Sequence, residues 1–240
     1  MSDVVEKALR LLGIDDIEEK AVLMRRYKEA VLDWNKKVNL TTIPTEEFDI
    51  KHTVDSLMIA GEECMRDSSV IMDIGTGAGF PGVPLAIAFP EKQFTLVDSL
   101  NKRVNIIRQT VDNLGISNVR TVHSRAEDLG RNGEWRESCD LVISRAVADM
   151  TVLSEYCLPL VKPGGFFAAY KGPESVHEIR EASHAVDILG GGEPVTVVPE
   201  IAGKIEEYDL DHILVIIKKE KPTPKKFPRK AGTPSKDPIR

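Results

Sequence analysis

The sequence predicts an α/β fold: a doubly wound, mostly parallel sheet with an antiparallel hairpin at its C-terminal edge, preceded by an N-terminal helical extension. Three observations carry this expectation. From Val70 onward, short Val/Ile-rich runs alternate with helical segments, the pattern of strands buried on both faces and joined by crossover helices. The first run, Val70 to Ile74, opens into Gly75-Thr76-Gly77-Ala78-Gly79 and then a short apolar helix. Strand, glycine loop and helix in that order bring backbone close to a nucleotide-like ligand. The last two runs have no helix between them, which suggests a hairpin in place of a further crossover. With 240 residues, 42% of them hydrophobic, the chain can bury a sizeable core, as one large domain or one domain plus an extension.

In chain order, a first helix capped by Ser2 is expected to end at Gly13. A second is expected from Asp16, with Glu19 completing a capping box. Its apolar positions are Ile17, Ala21, Met24, Tyr27, Val31, Trp34 and Val38, spaced three or four apart. That is a buried stripe, in which Trp34 reads as core and not as a base-stacking platform. Asn39 to Pro44 should stop it, and a third helix is expected over Glu46 to Ala60. Strands are then expected at Val70–Ile74, Phe94–Asp98, Val119–His123, Leu141–Ser144 and Gly165–Tyr170, with the hairpin pair at Val195–Val198 and Ile213–Lys218. Helices fit at Pro84–Phe89, at Asn101–Leu114 closed by Gly115, at Asp149–Leu160 and at Glu174–Leu189. A polar segment around Glu206-Glu207-Tyr208 separates the last two strands. The expected division is a helical extension over 1–62, a ligand-binding domain over 63–219 and a basic, proline-rich tail over 220–240.

Charge is unevenly placed along the chain. The formal net charge is −6, yet from Lys218 to Arg240 nine Lys/Arg face only Glu220 and Asp237, a net +7 that leaves −13 on the rest. A basic tail on an acidic body is an electrostatic footprint for polyanions such as RNA; a solvated tail is the plain alternative. Its five prolines and scarce apolar residues between Lys219 and Arg240 exclude a core element, leaving disorder or packing on the domain or on a partner. No apolar run reaches the ~20 residues that span a bilayer, and the N-terminus lacks the apolar core of a signal peptide. Cys64, Cys139 and Cys157 are odd in number and widely spaced. A reducing, cytoplasmic setting is expected, without disulfides or a metal site.

Ligands of an open parallel sheet bind beyond the carboxyl ends of its strands. Those ends supply Gly75, Gly77 and Phe80 after the first strand and Asp98 after the second, 23 residues beyond Gly75. Asp98 can accept both ribose hydroxyls or cap the following helix. The third strand leads into Ser124-Arg125-Ala126-Glu127-Asp128, where an amide and a carboxylate suit an adenine edge or ordinary loop capping. The fourth ends in Ser144-Arg145-Ala146; Arg145 directly beyond an apolar strand needs a partner, whether ligand or structural ion pair. The five histidines show no metal-ligand spacing, and no Gly-x-Ser-x-Gly elbow or Asn/Asp-Pro-Pro-Tyr segment is present. That absence favours an acceptor that offers a free lone pair and reacts by alignment and dehydration without a general base.

The glycines at 75, 77 and 79 follow Asp73 in a D-x-G-x-G-x-G form, shorter than the dinucleotide fingerprint, and resemble motif I of Rossmann-like class I methyltransferases. Over nearly its full length the chain resembles the RsmG (GidB) family of bacterial small-subunit rRNA methyltransferases. The residues that carry the resemblance include Trp34-Asn35, Asn39-Leu40-Thr41, His52 with Asp55-Ser56-Leu57, and Asp73 to Gly82. Asp98-Ser99, Lys102-Arg103, Arg125-Ala126-Glu127, Ser144-Arg145-Ala146, Lys162 to Gly165 and the tail from Thr223 to Gly232 complete them. The Ser-Arg-Ala segment and the basic tail are the most specific.

The resemblance implies S-adenosylmethionine as methyl donor and N7 of one guanine in the 530 loop of 16S rRNA as acceptor. The substrate particle would be the small ribosomal subunit or its assembly intermediate. Family cofactor contacts fall on Gly75, Phe80, Ala126, Glu127 and Arg145, with Arg145 facing the transfer pocket toward cofactor, base or phosphate. Lys225, Lys226, Arg229 and Lys230 are expected to anchor the RNA backbone, so that truncation at Lys219 weakens RNA binding while sparing the cofactor. A small-molecule methyltransferase, a nicotinamide oxidoreductase and a non-catalytic RNA-binding module remain the competing readings.

Overall fold

In the computed structural model of the protein, residues 3–145, 147–199, 201–205 and 212–239 are described. Two helices open the chain, α1 (Asp3–Leu11) and α2 (Ile17–Asn35). The stripe on α2 is buried at Ala21, Met24, Tyr27 and Val31, and Trp34 packs half-buried against the same core. The expected capping box does not form. Asp16 adopts a left-handed backbone (φ 54°) and makes no side-chain cap, so only the charges of Glu18 and Glu19 favour that helix end.

The third expected helix is also different. A π-helical stretch covers Asp49–Val54, Asp55 and Ser56 continue it, and a 3₁₀ stretch covers Leu57–Gly61. The pitch changes where His52, Asp55 and Ser56 turn into the interior, all three buried. Pitch changes of this kind gather at functional positions.

A four-residue helix α3 (Glu63–Arg66) leads into the sheet. Its strands are β1 (Val70–Ile74), β2 (Gln93–Asp98), β3 (Val119–His123), β4 (Cys139–Arg145), β5 (Val161–Lys171), β6 (Val195–Val197) and β7 (Ile213–Lys218). Between them run α4 (Gly82–Ala88), α5 (Asn101–Leu114), α6 (Ala126–Arg131), α7 (Met150–Cys157) and α8 (Val176–Ile188), with α9 (Thr233–Lys236) near the end. The strand order is β3-β2-β1-β4-β5-β7-β6. β1 pairs in parallel with β2 and β4, and β7 pairs antiparallel with both β5 and β6. The helix-free ending is thus the antiparallel edge that the sequence implies, with the segment around Glu206 to Tyr208 outside the described residues.

Alternation along the strands builds two apolar layers, because successive side chains point to opposite faces. Ile71, Leu96, Leu141, Ile143 and Ala168 face α1, α2, α4 and α5. Met72, Val97, Val142, Phe167 and Ala169 face α6, α7 and α8. The order reverses between β1 and β4, and a cavity opens beyond the carboxyl ends there.

The tail is packed on the domain. Phe227 joins the second layer, and Arg136 donates to the carbonyls of Phe227 (2.8 Å) and Thr223 (2.6 Å). At its root Lys219 is fully buried, donating to the carbonyls of Leu158 (2.8 Å) and Leu189 (2.9 Å) and to the Thr223 hydroxyl. Burial pushes its ammonium down to about 8. Of the two outcomes that composition left open, packing on the domain is the observed one.

Candidate functional site

The glycine loop is shaped by strain and by close neighbours. Gly75, Gly77 and Gly79 all have positive φ, at 74°, 59° and 89°. A Cβ on Gly75 would lie 2.4 Å from Val147 Cγ2, and one on Gly79 would lie 2.1 Å from the Tyr27 hydroxyl. Side chains are therefore excluded there twice over, by conformation and by space. Tyr27 reaches the loop from α2 and donates to the Ala78 carbonyl at 2.8 Å. Burial pushes its phenol far up, so the hydroxyl keeps its proton and stays a donor.

Beneath the loop, Asp73 is fully buried. One oxygen accepts from the Thr76 hydroxyl (2.7 Å) and the Gly82 amide (3.0 Å); the other has no hydrogen-bond partner among the described residues. Burial lifts its carboxyl to about 6, against the opposing pull of the Thr76 and Gly82 hydrogen bonds.

The cavity of about 290 Å³ is bordered by Gly75, Asp98, Ala126, Glu127, Val147 and Ser235, among others. Asp98 braces the start of α5 and also borders the cavity. It accepts from the Leu100 amide at the start of α5 (2.8 Å) and from the Gly77 amide (3.0 Å) while lining the cavity. Oδ1 keeps a lone-pair direction for a further donor, while Oδ2 also has the Arg103 guanidinium at 3.7 Å. Glu127 is buried at the start of α6 and accepts from the Gly232 amide at 2.8 Å.

Phe80 and Arg145 fall elsewhere. The Phe80 ring is buried and stacks on His52, with ring centroids 4.3 Å apart. Arg145 packs over the same ring and pairs with Asp55 at 2.6 Å. It also donates to the Lys51 carbonyl (3.1 Å) and meets His52 Nδ1 at 3.0 Å. That second contact makes Nδ1 the acceptor and leaves Nε2 to serve the Thr41 hydroxyl at 2.7 Å. Burial, followed by the Arg145 charge, drives His52 down to about 3, so it is neutral at physiological pH. His212 meets the other Asp55 oxygen at 2.7 Å. The partner that a buried arginine requires is therefore Asp55, an ion pair between the N-terminal segment and the end of β4. Ala146 lies outside the described residues.

Of the four tail residues assigned to RNA, Lys225, Lys226 and Lys230 are exposed. Arg229 is not available in the same way. Its guanidinium grips Glu155 through Nε (3.0 Å) and Nη2 (2.7 Å), and its amide donates to Glu155 at 2.7 Å. Nor is the tail separate from the cavity, since Gly232 holds Glu127 and Ser235 forms part of the wall. The expectation that truncation spares cofactor binding does not fit this packing.

Val147, Tyr156, Glu155 and Ser235 were missed in the sequence. Glu155 left one signal: a carboxylate inside the apolar run of α7 needs a buried partner.

Residues 20–204 match the family described as rRNA small subunit methyltransferase G. The chain belongs to this GidB family. A "Ribosomal RNA small subunit methyltransferase G" from Clostridium novyi is 44% identical over 238 residues, covering 99% of this chain and 96% of that protein. One of the same name from Alkaliphilus oremlandii is 42% identical, covering 100% and 99%. Solved structures share the GidB chain's fold at low identity. A SAM-dependent methyltransferase from Aquifex aeolicus superposes with TM-score 0.52 at 17% identity, over 71% of this chain and 92% of that one. A SAM-dependent O-methyltransferase from Thermotoga maritima gives 0.51 at 15% identity, over 81% and 72%. These likenesses establish the Rossmann-like methyltransferase fold for the GidB chain.

Proposed function

We propose that the chain transfers a methyl group from S-adenosylmethionine to N7 of a guanine in the 530 loop of 16S rRNA, acting in the cytoplasm on the small ribosomal subunit or its assembly intermediate. The observation that carries this reading is the cavity at the sheet's switch point, walled by the Gly75 loop, Asp98 and Glu127, in a member of a family described as rRNA small subunit methyltransferase G. The residues present suit the donor. Two carboxylates, Asp98 and Glu127, face a ligand that bears cationic groups and a ribose diol, and Asp98 has acceptor capacity left for those hydroxyls. Ala126 and the apolar wall of Ile74, Val97 and Val147 suit the adenine ring.

Bound there, S-adenosylmethionine supplies an electrophilic methyl group. The chain's part is to orient and to exclude water. Gly75 and Gly77 permit close backbone approach, and the Gly77 amide fixes Asp98. Arg145 and Phe80 set the wall from behind: their contacts with His52 and Asp55 fix the end of β4, from which Val147 enters the cavity. A guanine N7 offers its lone pair without losing a proton, which agrees with His52 being buried, neutral and bonded at both nitrogens. Lys225, Lys226 and Lys230 are exposed, which supports their meeting phosphates while the base is splayed toward the cavity.

No described helix is long and apolar enough to cross a membrane, and the three cysteines are free and buried. The test is methyl transfer from labelled donor to small subunits isolated from cells lacking this protein, with the modified nucleotide mapped. Label at one guanine N7 of the 530 loop is expected. Proven cofactor binding without transfer to any subunit preparation would overturn the assignment.

A further inference from the structure

Tail residues 223–235 wrap the two helices that border the cavity. Arg136 holds the carbonyls of Thr223 and Phe227, and Arg131 holds that of Pro228 at 3.0 Å. The wrap ends on two carboxylates that differ from every surface pair in the chain. Glu155 on α7 is 1% exposed and receives both the amide and the guanidinium of Arg229. Glu127 on α6 is 4% exposed and receives the Gly232 amide three residues further on. Ser235, three beyond that, is in the cavity wall beside Tyr156.

We infer that Arg229 and Glu155 are positioning residues for the donor site: the grip of the half-buried Arg229 guanidinium on the buried Glu155 carboxylate fixes the strap so that Gly232 orients the Glu127 carboxylate toward the bound cofactor. A buried carboxylate with a single fixed donor keeps its second oxygen directed, whereas without that donor it is free to rotate. The fork of Arg229 suits this purpose because two parallel N–H bonds fix direction as well as distance. The Gly232 backbone has φ 81°, which aims its amide into α6 from a turn that other residues rarely adopt. Thus the basic strap has two sides. Lys225, Lys226 and Lys230 face solvent, and Arg229 faces inward.

This inference rests on the proposed reading of the cavity as the S-adenosylmethionine site, and the experiment separates the two. The unsubstituted chain is titrated with S-adenosylmethionine by calorimetry; no binding there overturns the reading of the cavity, and this inference with it. Given binding, Arg229→Gln and Glu155→Gln are each expected to raise the Kd about tenfold, since each removes hydrogen bonds to a buried charge. The double variant should be no weaker than the weaker single one, because both break one unit. With saturating donor, kcat should stay within about threefold, as neither side chain reaches the reacting atoms. A merely structural role would instead lower the folded fraction and leave the donor Kd of the folded chain unmoved; Kd values within twofold of the unsubstituted chain overturn the inference. Hydrogen exchange on the unsubstituted chain is independent of how the variants fold. Saturating S-adenosylmethionine should slow exchange across 223–237, and unchanged exchange there also overturns it.

Discussion

Gly75 illustrates how little freedom the site leaves at single positions. A methyl group there would strike Val147 and would have to accept φ 74°. Gly75→Ala is expected to abolish measurable S-adenosylmethionine binding while thermal unfolding remains cooperative, which calorimetry and a melt together decide. Tyr27→Phe is a milder case. It removes one buried hydrogen bond to the glycine loop, costs about 1 kcal/mol in unfolding free energy and loosens donor binding a few-fold. His52 supplies a pH test. Its folded value, about 3, lies below its ordinary 6.5, so the unfolded chain binds the extra proton between those values. Its contribution to stability is complete above pH 6.5 and lost as pH falls toward 3. Asp73, lifted from 3.8 to about 6, has the opposite sign: its contribution is present at low pH and lost as pH rises through 6. His52→Asn should therefore flatten the fall of the urea midpoint between pH 6.5 and 4, relative to the unsubstituted chain. Among single residues, Gly75 and Asp98 were legible as cavity-wall positions because they lie at the carboxyl ends of strands. Tyr27 was read only as a stripe residue, because periodicity gives a face and not the atom that face touches.

At the scale of elements, strands were legible and irregular helices were not. Val and Ile crowd β1, β4 and β7 because both sheet faces are covered, and that composition has few other causes. Helix α6 escaped notice since its six residues include Gly130 and show no helical period. The stretch from Glu46 to Ala60 read as one helix because its apolar residues suit any helical pitch, whereas its buried residues are held by contacts with Arg145, His212 and Tyr170. Asp55 joins that stretch to β4. Asp55→Asn leaves the Arg145 charge buried and unpaired, so unfolding should weaken by about 3–5 kcal/mol, read from denaturant midpoints.

For the whole molecule, charge segregation was visible in the sequence and its geometry was not. A run of lysines and prolines advertises a polyanion partner but conceals that Phe227, Arg229 and Gly232 are internal groups. Truncation after Lys219 is accordingly expected to reduce both RNA affinity and donor affinity, where loss of RNA binding alone would separate the two sides of the strap. Lys225→Ala with Lys226→Ala should lower RNA affinity and reduce the slope of log affinity against log salt by about one to two, since each lysine releases about one counterion. Donor affinity measured in parallel distinguishes these outer lysines from Arg229.

Gly130 records the strap in another form. It lies in α6 with an ordinary backbone, where alanine would favour the helix by about 1 kcal/mol. A Cβ there would come within 2.8 Å of Pro228 Cγ. The glycine thus makes room for a proline 98 positions away. Alanine at 130 should destabilise the full chain and cost less in one shortened before Pro228, where only the 3.2 Å approach to Pro159 Cβ remains.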